Sequence, residues 1–300
     1  VYGRDWYVDA SNRKIGLRTY DPYDYMVNEW TPTQTHNVSL NGKSGKTEYN
    51  VAIGYLDQTG LIKPAKTDDF QRYNGSVRLG TEINEHLKVY AGSMYSKRDK
   101  SYAYATNSTT ADPWLYIYRW GPTYPFTTED GDPLRSPAYE MSAANTANQE
   151  TNYLSMNGGF NYTPIKDWKI NFDYTHANQE YTNKRPGTSY TARDSWSAPI
   201  KKLDASGQQI YVNDAGEVVS STTPGEMMAY RLSKSTYTGV GSNPDHVYRT
   251  SKNDQWNTLN LKTDYNLTFM DDHNVKFMLG MNRVAYENAY NWSQATQLVD

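Results

Sequence analysis

The sequence contains no cysteine. That excludes a disulfide scaffold, a CxxC zinc site and a cysteine nucleophile. It has no run approaching the roughly 18–20 consecutive apolar residues of a membrane helix. Nor is there a surplus of positive charge: 30 Lys and Arg stand against 33 Asp and Glu, a formal net charge of −3. A protein dedicated to nucleic acid would carry a basic excess, so no nucleic-acid partner is expected. Ordinary core residues are also scarce. Leu, Ile, Val and Phe together number 46 of 300, below the roughly 20% level associated with disorder. Val1–Ala10 has neither the basic start nor the apolar stretch of a secretory signal.

Aromatic residues are abundant. Tyr supplies 28 and Trp 8, whereas disordered chains are poor in aromatics and usually highly charged. Something other than an aliphatic interior must order this chain. Helical periodicity is weak, while period-two alternation recurs in eight places. The alternating segments come in pairs: 33–41 with 47–57, 69–83 with 87–97, 150–163 with 168–181, and 254–270 with 274–287. The turns within pairs are about 2–5 residues long, the hairpin range. The reading along the chain is a lead-in loop at 1–30, four strands over 33–97, a long loop at 98–149, a hairpin at 150–181, a long loop at 182–253 and a hairpin at 254–287. Short and long connections alternate, which puts the long ones on one edge of an up-and-down meander. Outer-membrane barrels show that asymmetry, with short periplasmic turns and long outer loops.

Charge follows the alternation. One face reads Tyr49, Val51, Ile53, Tyr55 and, later, Leu259, Leu261, Tyr265, Leu267, Phe269, with no charge on it. The other carries Arg78, Lys88, Lys169, Asp173, Lys262, Asp264 and Lys276. A Lys or Arg facing lipid at the midplane costs about 2–4 kcal/mol, whereas one facing a wet lumen costs little. These seven are therefore candidate lumen-facing residues. The half-buried sheet of a soluble carbohydrate-binding β-sandwich would alternate similarly. Two details favour a membrane. Aromatics such as Tyr55, Tyr73, Tyr95, Tyr162, Trp168 and Phe269 sit near the ends of the apolar faces, where interfacial girdles belong. The segments also exceed the usual soluble strand of about 5–6 residues. The expected fold is an all-β, antiparallel up-and-down transmembrane barrel segment of about eight strands in four hairpins. The lipid bilayer is its first partner, and the outer membrane of a Gram-negative bacterium its location.

Several motifs carry no chemistry. Gly42–Thr47 looks like a phosphate loop, but Leu40 stands where the motif needs glycine, and the segment joins two strands. His36, His86, His176, His246 and His273 lack metal-ligand spacing. Asp204–Gly207 and Asp214–Gly216 read as turns bracketing a short strand, and 129–132 as another turn. No catalytic residues, metal or cofactor emerge, and no enzyme is expected. The densest aromatic cluster, Trp114, Tyr116, Tyr118, Trp120, Tyr124 and Phe126, lies in the first long loop. Its rings suit ligand stacking or packing against a neighbouring domain. Of these, Trp114, Tyr116, Tyr118, Trp120 and Tyr124 are the candidate ligand-binding residues.

Residues 31–97 carry a specific resemblance. Gln34, His36, Asn37, Gly42, Lys46, Thr47, Tyr49, Gly54, Tyr55, Asp57, Gln58, Gly60, Arg72, Tyr73 and Asn74 follow the pattern of the early barrel of SusC-type TonB-dependent outer-membrane transporters. Arg119-Trp120-Gly121-Pro122 with Tyr124-Pro125 resembles that family's first large outer loop. The resemblance implies an internal barrel piece that begins after a plug and ends inside the barrel. It implies a 22-stranded parent barrel that imports oligosaccharides (glycans) or peptides, with a SusD-like surface lipoprotein as lid and the TonB complex, engaged through N-terminal parts, as energy source. A passive porin or structural outer-membrane barrel would need the same strands without a plug. The isolated piece is expected not to insert as a stable barrel, because open strand edges in lipid leave backbone groups unsatisfied.

Overall fold

The structure is a computed structural model describing residues 6–104, 117–118, 120–128, 130–238, 246–270 and 273–296. Eight long strands form one antiparallel sheet: β1 (Thr33–Ser44), β2 (Thr47–Thr59), β3 (Asp69–Glu82), β4 (Leu87–Tyr104), β5 (Asn145–Tyr162), β6 (Trp168–Pro186), β7 (His246–Phe269) and β8 (His273–Thr296). Each strand pairs only with its neighbours in sequence. No second sheet faces this one among the described residues, so the soluble sandwich is set aside in favour of one sheet bowed into the sector of a barrel. β1 and β8 are its two edges.

The strands run from 12 to 24 residues, further than the alternation indicated. β4 continues to Tyr104, β5 begins at Asn145, β6 reaches Pro186 and β7 starts at His246. The expected loops at 98–149 and 182–253 therefore surrender their ends to the sheet. Polar residues occupy both faces of those extensions, which is why the hydrophobic alternation fades there. The lead-in is not plain loop: it holds a hairpin of Trp6–Val8 with Lys14–Gly16 and a helix, α1 (Pro22–Met26). Asp21 caps α1 by accepting from the Tyr23 amide, and Pro22 opens it.

Antiparallel partners directly opposite each other point to the same side of a sheet. The register links Ile53, Gly75, Tyr95 and Leu154 on one face, and Phe160, Phe172, Leu261 and Met281 on that same face. This face is apolar and open: Val38, Ile53, Leu79, Phe277 and Leu279 are among its exposed residues. Its uncharged stretch on β4, Leu87–Tyr95, is about 30 Å of strand at roughly 3.3 Å per residue. At a 45° tilt that covers about 21 Å of depth, close to the apolar band of outer-membrane barrels. From β2 to β8 the band slides along the register toward the short turns, from Tyr49–Tyr55 to Val275–Met281. Tilted strands require that stagger. Aromatics border the band: Tyr55 and Tyr73 lie 5.0 Å apart, and the Trp168 indole donates to the Thr263 hydroxyl at 2.8 Å.

Tight connections close one end of the sheet. Gly45, Asp167 and Met270 take positive φ there, and the phosphate-loop lookalike is the β1–β2 turn. At the other end the described parts of the longer connections, 60–68, 117–118, 120–128, 130–144 and 187–238, gather with the lead-in. The hydrophobic core lies here, outside the sheet. Met26, Ile117, Trp120, Ala138, Met141 and Ala144 are buried together with Ala103 from the top of β4. A second helix, α2 (Pro137–Ala143), supplies two of them, Ala138 and Met141, has Ala144 as its C-cap and is capped at its start by Ser136. Ser189–Arg193 pairs with Lys234–Thr238. Tyr211–Val212 sits between Val218–Val219 and Met227–Met228. Gly207 and Gly216 turn at the two expected corners, both with φ near +80°.

Candidate functional site

The register places Arg78, Lys88, Lys169, Asp173, Lys262, Asp264 and Lys276 on one face, opposite the apolar band. They do not form one cluster. Lys88 pairs with Glu48 at 3.0 Å, and Lys43 reaches both Glu48 (3.9 Å) and Glu82 (3.8 Å). Lys276 pairs with Asp264 at 3.2 Å. The Tyr90 hydroxyl donates to Asp173 at 3.4 Å. Arg78, Lys88, Glu48, Tyr90 and Asn157 share a shallow concavity of about 530 Å³. Near the short turns this face sets cations and carboxylates side by side.

The loop module at the opposite end holds a cavity of about 360 Å³, lined by Trp120, Tyr124, Arg135, Glu140, Ser195 and Trp196 among others. Aromatic walls around a few convergent polar groups are the usual make-up of a small-ligand site. A line of rings supports it: Trp120 on Tyr25 at 5.7 Å, Tyr25 on Phe126 at 5.6 Å, Phe126 on Tyr139 at 6.2 Å, Tyr139 on Tyr190 at 5.7 Å and Tyr190 on Tyr237 at 5.4 Å. The Arg135 guanidinium sits 4.2 Å over the Tyr237 ring and donates to Glu140 at 3.3 Å. Glu140 is buried and also accepts from the Tyr190 hydroxyl. Burial, then the Glu140 charge, pushes the Tyr190 phenol well above its ordinary pKa, so it stays a donor.

The first and second long loops are clasped by Asp132. Its carboxylate meets Arg193 at 2.6 Å and Lys234 at 3.3 Å. Hydrogen bonds from Arg193, then from Lys234, hold its pKa below the ordinary value. The turn it belongs to has Gly131 at φ +79°. Lys14 ties the lead-in hairpin to the second loop through the carbonyls of Ser195 and Ser197, and burial lowers its pKa.

Of the five candidate aromatics, Trp114 and Tyr116 lie outside the described residues. Tyr118 is 85% exposed, whereas Trp120 is buried in the module core. Tyr124 packs against that core and also lines the cavity. Trp120 thus serves packing first, with one edge on the cavity. Arg135, Glu140 and Trp196 were invisible to spacing, because they join the aromatics only through the folding of α2 onto the second loop. On the polar face, Arg72, Arg98, Lys100 and Arg185 lie beyond the alternating segments or at their ends, where period two gives no face. The register alone assigns them.

This geometry defines a class: a sector of a transmembrane β-barrel with a folded loop module at its outer end. No family model matches the chain. Two curated relatives do. It is 23% identical over 205 residues to the TonB-dependent receptor P26 of Formosa agariphila, covering 62% of this chain and 20% of that protein. It is 28% identical over 132 residues to the TonB-dependent receptor SusC of Bacteroides thetaiotaomicron, covering 42% and 13%. Among solved structures, the RagAB peptide transporter superposes with a TM-score of 0.57 at 17% identity, over 94% of this chain and 27% of that one. The chain is similar to the SusC/RagA-like TonB-dependent receptors over part of their barrel. That is a class of outer-membrane transporters rather than enzymes. The chain spans about a fifth or less of the length of the curated relatives it matches.

Proposed function

We propose that this chain forms part of the barrel wall and outer loops of an active importer of oligosaccharides or peptides. The polar face lines the wet lumen, and the loop module takes part in cargo capture. TonB supplies the energy, and a SusD-like lipoprotein covers the mouth. The observation that carries this reading is the two-faced sheet, with an apolar band on one side, charge on the other, and the described parts of the long connections folded together at one end. The RagAB likeness supports the same architecture for a peptide transporter.

The test is uptake by cells carrying the full receptor. Labelled oligosaccharide and peptide mixtures are supplied with and without a protonophore. The importer predicts uptake that requires both the receptor and the proton gradient. Uptake that persists under the protonophore would point to the passive porin instead.

A further inference from the structure

On the polar face, charge is sorted by height. Near the short turns, cations and carboxylates interleave, as Lys43, Glu48, Glu82 and Lys88 show. Further out the carboxylates stop. Arg72 stands directly opposite Arg98, and the same row continues through Thr151 and Tyr181 to Lys252. The next row outward holds Lys100, and the one beyond it places Arg185 opposite Tyr248. Arg72, Arg98, Lys100, Arg185 and Lys252 therefore share three neighbouring rows of one face. No Asp or Glu lies on that face in those rows. All five lie at or beyond the outer edge of the apolar band, which ends at Tyr73, Tyr95, Tyr174 and Leu259 on their strands.

The arrangement is unfavourable by itself. Like charges directly across a strand pair repel, and neither Arg72 nor Arg98 has an ion-pair partner among the described residues. The Nε–H groups of Arg72 and Arg185 are buried without a hydrogen bond, a cost that folding alone does not explain. Among the described residues Lys252 is the one of the five with an ion pair, to Asp254 at 2.9 Å one row further in. Aromatic rings stand among the cations. Arg185 lies 4.4 Å from the Tyr248 ring, Tyr248 stacks on Trp292 at 5.7 Å, and Lys100 lies 5.5 Å from the Tyr102 ring. Tyr290 and Trp292, the end members of two of these rows, are 58% and 59% exposed.

We propose that this cationic and aromatic wall receives an anionic oligosaccharide, one bearing carboxylate or sulfate groups, on its way into the lumen. The proposal rests on the import reading above and names its cargo. Guanidinium forks bind carboxylate and sulfate oxygens in pairs. Open aromatic faces cover the apolar faces of sugar rings. Cations spread over three rows fit a repeating anion better than a single one, and a cleft of one sign raises the local concentration of its ligand. Peptide capture by strand addition needs an unpaired strand edge, and the strands carrying these cations, β3, β4, β6 and β7, are paired on both sides.

The test measures binding of hexagalacturonate, maltohexaose and a hexaglutamate peptide to the purified full receptor. Hexagalacturonate is expected to bind tightest, with an affinity that falls as salt rises. R72Q/R98Q is expected to weaken it at least about tenfold, whereas R72K/R98K retains most of the affinity. K100Q/R185Q gives a second reading if R72Q/R98Q fails to assemble. Maltohexaose or hexaglutamate binding as tightly as hexagalacturonate overturns the proposal. So does unchanged hexagalacturonate affinity in an assembled Gln variant. Proton-gradient-driven uptake of a neutral cargo without hexagalacturonate binding sinks the cargo assignment and leaves import standing. Hexagalacturonate binding without energised uptake does the reverse.

Discussion

Gly159 and Tyr90 face each other across β5 and β4. The Tyr90 ring crosses the glycine so that its hydroxyl donates to the Phe172 carbonyl at 3.3 Å and to Asp173 on the next strand. A Cβ added at Gly159 would fall 2.2 Å from that carbonyl oxygen and 2.6 Å from the Tyr90 hydroxyl. The hydroxyl can swing away, but the carbonyl belongs to a paired strand and cannot. Gly159→Val should therefore cost about 1–3 kcal/mol of overpacking and lower the heat-modifiable, folded fraction of the full receptor several-fold. Wild-type amounts in the outer membrane would refute this. In the loop module the same residue-scale logic makes Glu140 dependent on its donors. It is buried, and Arg135 and Tyr190 each donate to it.

For the strands, facing decides the outcome of a charge. Leu261 lies on the apolar face of β7, in register with Phe172 and Met281; Thr258 lies on the opposite face, in register with Thr175. Leu261→Arg is expected to destabilise the folded receptor by about 2–4 kcal/mol, and Thr258→Arg by far less. Denaturant titration in lipid vesicles reads the difference, and equal losses would contradict the assigned faces. This facing was legible in the sequence wherever apolar residues alternate, as at Trp168, Ile170, Phe172 and Tyr174. Seven polar residues were assigned to one face on that basis, and the register puts them on one face, in separate rows. The legibility ended where the strands leave the apolar band. At Arg98, Lys100 and Arg185 both faces are polar, so no period marks which side each residue takes. Glu140 joined Trp120 for a different reason: tertiary packing brings α2 onto the second loop, and no local pattern encodes that meeting.

The whole molecule divides into a wall made of neighbours and an outer module made of distant segments. Asp132 is an ionic clasp between those segments, joined to Arg193 and Lys234, so the module should respond to acid in a defined way. An unfolded Asp titrates near 3.9, and Asp132 titrates lower in the folded state. Its contribution is fully present above that unfolded value and disappears as pH falls through the depressed one. Hydrogen exchange over 130–136 and 189–193, corrected for intrinsic rate, should stay slow from neutral pH to about pH 4 and rise below it. Loosening between pH 5 and 7 would contradict this assignment. Asp132→Asn should loosen the same segments at neutral pH.

The consecutive pairing of the eight strands has a further consequence, for chain entropy. The register across β6 and β7 is set by their own ladder, and the 59 positions of the 187–245 connection enter only through the entropy of closing a loop. That entropy grows with the logarithm of length, about 0.6 kcal/mol for each doubling. The outer segments can therefore lengthen, shorten or change sequence while the wall keeps its register. Outer surface and membrane fit are separate variables in this molecule, the first written in loops and upper rows, the second in the alternation below them.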